Sequence, residues 1–288
     1  MTDNKYVIIT SAKNEERYIE KALRSVLAQT KLPERWVIVS DGSTDGTDDI
    51  ILKYSKFNSL IRYVRRESQN TGRDFSSKVY ALQLGYKIMD TNDYNFIGHL
   101  DADISLDDDY YEKIIDIFIN KENLGLAGGF VYEPDKCTFS RLKFNNSHSV
   151  PGAVQLFRRR CYEEIGAFLP LRHGGEDWYA EVKSRMLGWE VQSYPALKVY
   201  HHKVGRTRGT MKEIIREGRM DYTLGSHPIY EIMKCLSRMK QKPYIVSGFV
   251  RLLSFLYGYL EREKRLVADD FVQYLRREQL MQILNLLS

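Results

Sequence analysis

Asp101 and Asp103 stand one residue apart at the end of an apolar run, Phe96-Ile97-Gly98-His99-Leu100. On an extended chain residues two apart share a face, so both carboxylates would leave the end of a buried strand together. Hard oxygen donors in that position suit Mg2+ or Mn2+, with water and a phosphate completing the shell. The same triplet also reads as the start of a solvated loop, because Leu106-Asp107-Asp108-Asp109 follows as a helix-capping run. A second acidic pair, Glu176-Asp177, sits between Gly174-Gly175 and a helical pattern of Trp178, Val182 and Met186. Acidic residues there favour the positive end of a helix. A carboxylate held at that point can also take the proton of an attacking hydroxyl. Asp41-Gly42-Ser43 ends a third apolar run as a strong turn signal. Asp41 is either a plain turn residue or an acceptor for the N–H of a base or a ribose hydroxyl.

The elements that must position these groups follow from the pattern of apolar residues. Tyr6-Val7-Ile8-Ile9-Thr10, Trp36 to Ser40, Leu60 to Val64 and Phe96 to Leu100 read as strands. Helical spacing separates them, at Tyr18 to Leu27, from near Asp48, and at Val79 to Met89. Alternating strand and helix predicts a parallel, doubly wound α/β sheet. Ligands bind outside the carboxyl ends of such strands. Thr10 to Glu15, Ser40 to Ser43 and Asp101 to Asp103 all fall there. No Gly-x-Gly-x-x-Gly follows the first strand and no phosphate-loop motif occurs, which disfavours a dehydrogenase or a P-loop ATPase. Further on, Gly125 to Tyr132 and Gly152 to Arg158 read as strands, the second running into Arg159 and Arg160. Those three arginines are candidates to meet a phosphate-rich acceptor. Leu197 to His202 is another strand, and His201 and His202 must face opposite ways, so only one of them can reach the site.

Within the 288 residues, 43% are hydrophobic and 28% charged, as in an ordinary globular protein with room for one large domain. Cys137, Cys161 and Cys235 are too few and too scattered for a disulfide framework or a zinc site, and they fit reduced cytosolic thiols. The first strand follows closely on Met1, which predicts no secretory leader. Residues 198 to 288 hold 17 Lys and Arg against 9 Asp and Glu, a net of +8, while the rest of the chain carries −3. Such a basic third can face an anionic surface or simply be solvated, and no nucleic-acid-binding module accompanies it. Ile245 to Leu260 is apolar, but it is short and contains Arg251. It reads either as an in-plane membrane-surface helix or as a packing or oligomer contact, and Arg262 to Leu287 reads as a charged amphipathic helix.

Thr10-Ser11-Ala12-Lys13-Asn14-Glu15, Val39-Ser40-Asp41-Gly42-Ser43 and Leu100-Asp101-Ala102-Asp103 together resemble the motifs of family 2 glycosyltransferases. The resemblance implies the glycosyltransferase A fold, a Rossmann-like mixed central sheet flanked by helices. The departures are Ser11, where the family usually has proline, and Lys13, where it often has tyrosine. By the same resemblance Thr10, Ser11, Ala12, Asn14, Glu15 and Asp41 line the nucleoside pocket. Asp101, Ala102 and Asp103 meet the ribose and the metal-bound diphosphate. Asn70-Thr71-Gly72 resembles a family segment that makes Arg73 and Lys78 candidate contacts to the base or diphosphate. His201 or His202 completes the metal shell, and Arg206 and Arg208 lie on a glycine-bounded loop able to close over the diphosphate. Asp177 is the expected general base, with Glu176, Trp178 and Gly152 on the acceptor and sugar side. The implied organisation is a catalytic domain over 1–230, with a nucleotide half to about 104 and an acceptor half from about 105, then a helical extension over 231–288. The implied activity is inverting, Mg2+- or Mn2+-dependent transfer from a nucleotide sugar, with UDP favoured, to a glycan or lipid-linked acceptor. The expected location is cytoplasmic, with peripheral contact at the inner membrane face and homo-oligomer contact as the other use of the last helices. A sugar nucleotidyltransferase would want a glycine-rich loop after the first strand, and a non-catalytic scaffold would not need Asp101, Asp103 and Asp177.

Overall fold

Tyr6 to Ala12 is rich in β-branched residues and almost wholly buried, as a central parallel strand must be. It forms β1 (Tyr6–Ala12) in the computed structural model, which describes residues 4–67, 75–136, 138–143, 145–203, 210–239 and 244–287. There follow α1 (Ile19–Leu27), β2 (Arg35–Asp41), α2 (Thr47–Phe57), β3 (Ile61–Arg66), α3 (Ser76–Lys87) and β4 (Phe96–Leu100). These four strands are parallel, in the order β3-β2-β1-β4. Side chains alternate between two cores, as the pleat requires. Tyr6, Ile8, Trp36 and Phe96 pack on one face, while Val7, Ile9, Val79 and Ile97 pack on the other.

The purely parallel reading holds only that far. After β5 (Ile104–Leu106), α4 (Tyr110–Asn120), β6 (Leu124–Asp135) and β7 (Thr138–Arg141), β8 (Val154–Arg158) enters antiparallel beside β4. Then come α5 (Arg159–Ile165), α6 (Glu176–Met186) and β9 (Glu190–His201). The sheet continues β4-β8-β6-β9-β5 and is therefore mixed, with β7 on β6. Neither β5 nor β7 was expected. β5 is three residues long, and β7 lies in a polar stretch that reads as irregular. Where β6 meets β9 the register shifts beside Gly129, whose missing side chain lets the Leu197 carbonyl approach.

The last third is helical: α7 (Met211–Thr223), α8 (Pro228–Arg238), α9 (Val246–Leu260) and α10 (Asp269–Leu287). The expected helix from Arg262 starts seven residues later. Arg262 takes a left-handed backbone with φ of 50°, and Arg265 lays its guanidinium 4.6 Å from the Tyr222 ring centre. α10 returns to pack on α6 through Leu171, Tyr179, Val182, Leu224, Phe271 and Leu275. Among the described residues no helix is long and apolar enough to cross a membrane.

Candidate active site

The order β2-β1-β4 puts three strand ends side by side, and the loops after β1 and β2 are fastened together. Asn14 has a left-handed backbone, φ 56°, which asparagine tolerates better than most residues. Its Oδ1 accepts from the Thr44 N–H at 2.8 Å, and its own N–H donates to Ser43 Oγ at 3.1 Å. The Glu15 N–H donates to Thr47 Oγ1 at 2.8 Å. Thr10 is turned away from this edge, because its hydroxyl accepts from Trp36 Nε1 at 2.9 Å inside the core. Ser11, one residue on, belongs to the opposite face and is half-buried, while Ala12 is buried. Asp41 is buried and both its oxygens are engaged. Ser77 Oγ donates to one at 2.5 Å and the Arg66 guanidinium pairs with the other. Sequence reasoning passed over Arg66 and Ser77. Arg66 carries no local signal in the sequence; its parallel register opposite Asp41 brings it there.

Asp101 and Asp103 sit in the turn between β4 and β5 rather than on an extended strand, and both lie close enough to Glu15 to raise its carboxyl. β4 ends at Leu100, and the chain turns so that β5 can run antiparallel to β9. Asp101 receives Lys78 Nζ at 2.6 Å. Asp103 Oδ2 lies 3.2 Å from His201 Nε2, and His201 Nδ1 lies 3.3 Å from Glu133 Oε1. Ala102 between them is buried. His202 turns the other way, its Nε2 2.7 Å from Ser105 Oγ and its Nδ1 3.4 Å from Lys21 Nζ. Burial disfavours charge on both members of the Asp103–His201 pair. Their mutual attraction outweighs it, holding the carboxyl below its ordinary range and the imidazole above. Glu15, which receives Lys203 Nζ at 2.5 Å, is raised by burial and by the nearby Asp103. Among the described residues no group of three or more His, Cys, Asp or Glu forms a ready-made metal site.

The second acidic pair reaches the same cleft from the other half. Gly174 and Gly175 both take positive φ, 83° and 91°, a turn that side-chain-bearing residues resist. That turn starts α6 directly at Glu176 and Asp177. Arg216 of α7 holds it in place by donating to the His173 carbonyl at 2.7 Å. Asp177 lies directly against Gly152, where an added Cβ would meet Asp177 Cβ and Cγ at 2.9 Å. Burial, and then the charge of Asp177, push the Glu176 carboxyl up to about 7. Burial works against a charge on Lys78, but Asp101, Glu176 and Asp177 together raise its affinity for the proton. Lys78 thus joins the carboxylates of both halves.

Other expected contacts are not brought here. Trp178 packs toward the core shared with α10, under Arg185 at 5.4 Å, because the α6 face that carries it looks away from Gly152. Arg158, Arg159 and Arg160 are at the far end of β4. Arg158 donates to the carbonyls of Phe118, Lys121 and Leu124, Arg159 pairs with Glu163, and Arg160 pairs with Glu164. Arg73, Arg206, Arg208 and Cys137 lie outside the described residues. Glu181, one turn beyond Asp177, was missed. It is buried and accepts from Ser149 Oγ and the Val150 N–H, both at 3.0 Å.

The sequence model of Glycosyl transferase family 2 matches residues 7–173. Glycosyltransferase GlyA of Streptococcus pneumoniae is 26% identical over 225 residues, 66% of this chain and 29% of that protein. Poly-beta-1,6-N-acetyl-D-glucosamine synthase of Staphylococcus aureus is 23% identical over 267 residues, 86% of this chain and 61% of the synthase. The chain therefore spans less than two thirds of either relative. Among solved structures, S. aureus TarS 1-349 in complex with UDP-GlcNAc superposes with a TM-score of 0.56 at 16% identity, over 96% of this chain and 82% of that TarS fragment. Mannosyltransferase PcManGT from Pyrobaculum calidifontis, in complex with GDP-Man and Mn2+, gives 0.57 at 14%, over 97% and 85%. These likenesses establish the glycosyltransferase A fold. With more than half of its length matched by the family, the chain is a member of glycosyl transferase family 2.

Proposed function

We propose that this chain is an inverting, metal-dependent glycosyltransferase moving a sugar from a nucleoside diphosphate, of the UDP-sugar class, to a hydroxyl of a glycan or lipid-linked acceptor. Its place would be polysaccharide assembly at the inner membrane face. The observation that carries the reading is the position of Lys78, which bonds Asp101 and lies within the field of Glu176 and Asp177. One cleft thereby holds an anion-binding cation, a donor-side carboxylate and an acceptor-side carboxylate. Asp41 would accept from the base, and the backbone of Ser11 and Ala12 would border it. The donor set fits a hard divalent cation. Asp103 offers oxygen, and His201 offers a nitrogen 3.2 Å away, so one ion can lie against both. With two such ligands paired among the described residues, phosphate oxygens and water would complete the shell. A bound ion supplies neutralisation of charge on the departing diphosphate. Lys78 would meet the same phosphates. Asp177 would take the acceptor proton as the sugar carbon is attacked, so the protein need supply no covalent nucleophile. Glu176, still holding its proton up to about pH 7, spares Asp177 an adjacent charge.

Calorimetric titration with UDP, TDP and GDP, each with and without Mn2+, tests the donor side. Transfer assays on Asp177→Asn test the base. One nucleotide should bind tightly only with metal. Asp177→Asn should bind it equally well while losing transfer by about 10²–10⁴-fold. Loss of nucleotide binding in Asp177→Asn would move that residue to the donor side. No binding of any nucleotide with metal present would favour a non-catalytic scaffold.

A further inference from the structure

In α8 and α9 the usual distribution of side chains is reversed. α9 turns Ser247, Gly248, Arg251, Ser254 and Gly258 inward, with Phe255 among them. Its outer stripe is Phe249, Leu253, Leu256 and Leu260, continued by Ile245 just before the helix, with Leu260 80% and Ile245 68% exposed. These positions recur every three or four residues, so they form one face, about 22 Å long in a fifteen-residue helix. α8 does the same, burying Glu231 completely while Ile229, Ile232 and Leu236 face outward. The interior they share with α7 is ionic. Arg251 Nε donates to Glu231 at 2.7 Å, Arg251 also pairs with Glu217 and Asp221, and Lys234 Nζ lies 2.9 Å from Asp221. Helices in water arrange themselves the other way round. A polar interior under an apolar exterior of this extent marks a surface that something apolar covers.

We propose that the outer face of α8 and α9 docks in the plane of an anionic lipid bilayer. No described helix can cross a membrane, so the mode would be interfacial. Charge selects the occupant. Residues 198 to 288 carry 17 Lys and Arg against 9 Asp and Glu. Arg262 and Lys264 are exposed just past the C-terminal end of the stripe. A second copy would bring the same excess of positive charge against this face, whereas anionic headgroups bring the opposite sign. The inference stands apart from the reading of the active site.

The test is sedimentation of the full chain with vesicles of phosphatidylcholine, with and without phosphatidylglycerol. The chain should pellet with the anionic vesicles, release as salt rises, and stay largely in solution with the neutral ones. Leu253→Glu together with Leu256→Glu should cut the bound fraction by about tenfold or more. Their thermal unfolding should match that of the parent, because both sites are exposed. Should the double variant fail to fold, Leu256→Trp reads the same contact, its added emission shifting to the blue only when anionic vesicles are present. Failure to pellet, unchanged pelleting of the double variant, equal binding to neutral vesicles, or no shift from Leu256→Trp would overturn the proposal. So would a dimer seen by light scattering that the glutamates dissociate, which would assign the face to a second copy.

Discussion

Gly152 gives Asp177 space that any side chain would take. A methyl group there would press on the carboxylate and on the Cβ that carries it, and Asp177 cannot retreat far. Its Oδ1 accepts from the Trp178 N–H at 2.8 Å, and its backbone lies in the first turn of α6. Gly152→Ala should therefore rotate or displace the acid without altering its chemistry. If Asp177 is the base, kcat should fall by roughly 10²-fold, the usual effect of a misplacement near 1 Å. Nucleotide affinity should hold, since the crowding falls on Asp177 while the loops after β1 and β2 and the Asp101 N–H bond to the Ala153 carbonyl are kept. Crowding should also lower stability by about 1–3 kcal/mol. Steady-state kinetics beside calorimetry separates the two effects, and an unchanged kcat would remove Asp177 from the chemistry.

At the scale of elements, α6 is tied to the chain ahead of Gly152 by Glu181, whose carboxyl accepts from Ser149 and Val150. Burial, and then the charge of Asp177, push that carboxyl up to about 8, against the opposing pull of Arg185. From the ordinary carboxylate range up to about pH 8, the folded chain keeps a proton that the unfolded chain has released. Stability is therefore full below that window and is lost as pH rises through it. Glu181→Gln keeps an acceptor for both donors and removes the titration. Its Tm should exceed the parent's at pH 8.5, by roughly 2–4 °C for each kcal/mol relieved, and match it near pH 4. Equal curves at both values would show that Glu181 ionises freely in the fold. Nothing in the sequence marked Glu181, because one buried carboxylate on a mixed helix looks like any surface residue until the loop over it is placed. The strands β1 to β4 and the acidic turns after them were legible, since runs of apolar residues ending in turn signals are local patterns. What depended on pairing was not. That His201 rather than His202 points its ring at Asp103 follows from the pairing of β5 with β9, and the arginines that end β8 and begin α5 bond the carbonyls that end α4 and begin β6 and carboxylates of their own helix. The pattern in α9 likewise revealed a stripe but not which way it faced.

At the scale of the molecule, α7 connects two polar systems. On one side its Arg216 holds the His173 carbonyl ahead of the glycine pair that starts α6. On the other, Glu217 and Asp221 face Arg251 of α9, and Ser254 Oγ donates to the Ile215 carbonyl at 2.6 Å. Arg251 is 5% exposed and bonds three carboxylates drawn from α7 and α8, so it ties α9 to both, while Lys234 and Arg238 of α8 add further pairs to Asp221 and Glu217 of α7. Arg251→Met fills similar space but leaves those carboxylates facing one another without it. Removing one partner of a buried ionic group costs about 3–5 kcal/mol, far more than loss of a surface pair. Thermal unfolding should show that loss. A second substitution identifies its origin. Burial and Asp221 already push Glu231 up to about 7, so Glu231→Gln removes a charge that its surroundings already disfavour. If uncompensated charge is the cause, Arg251→Met with Glu231→Gln should recover part of the lost stability. If the doubly substituted chain unfolds as early as Arg251→Met alone, the stems and packing of the arginine, rather than its charge, hold the helices in place.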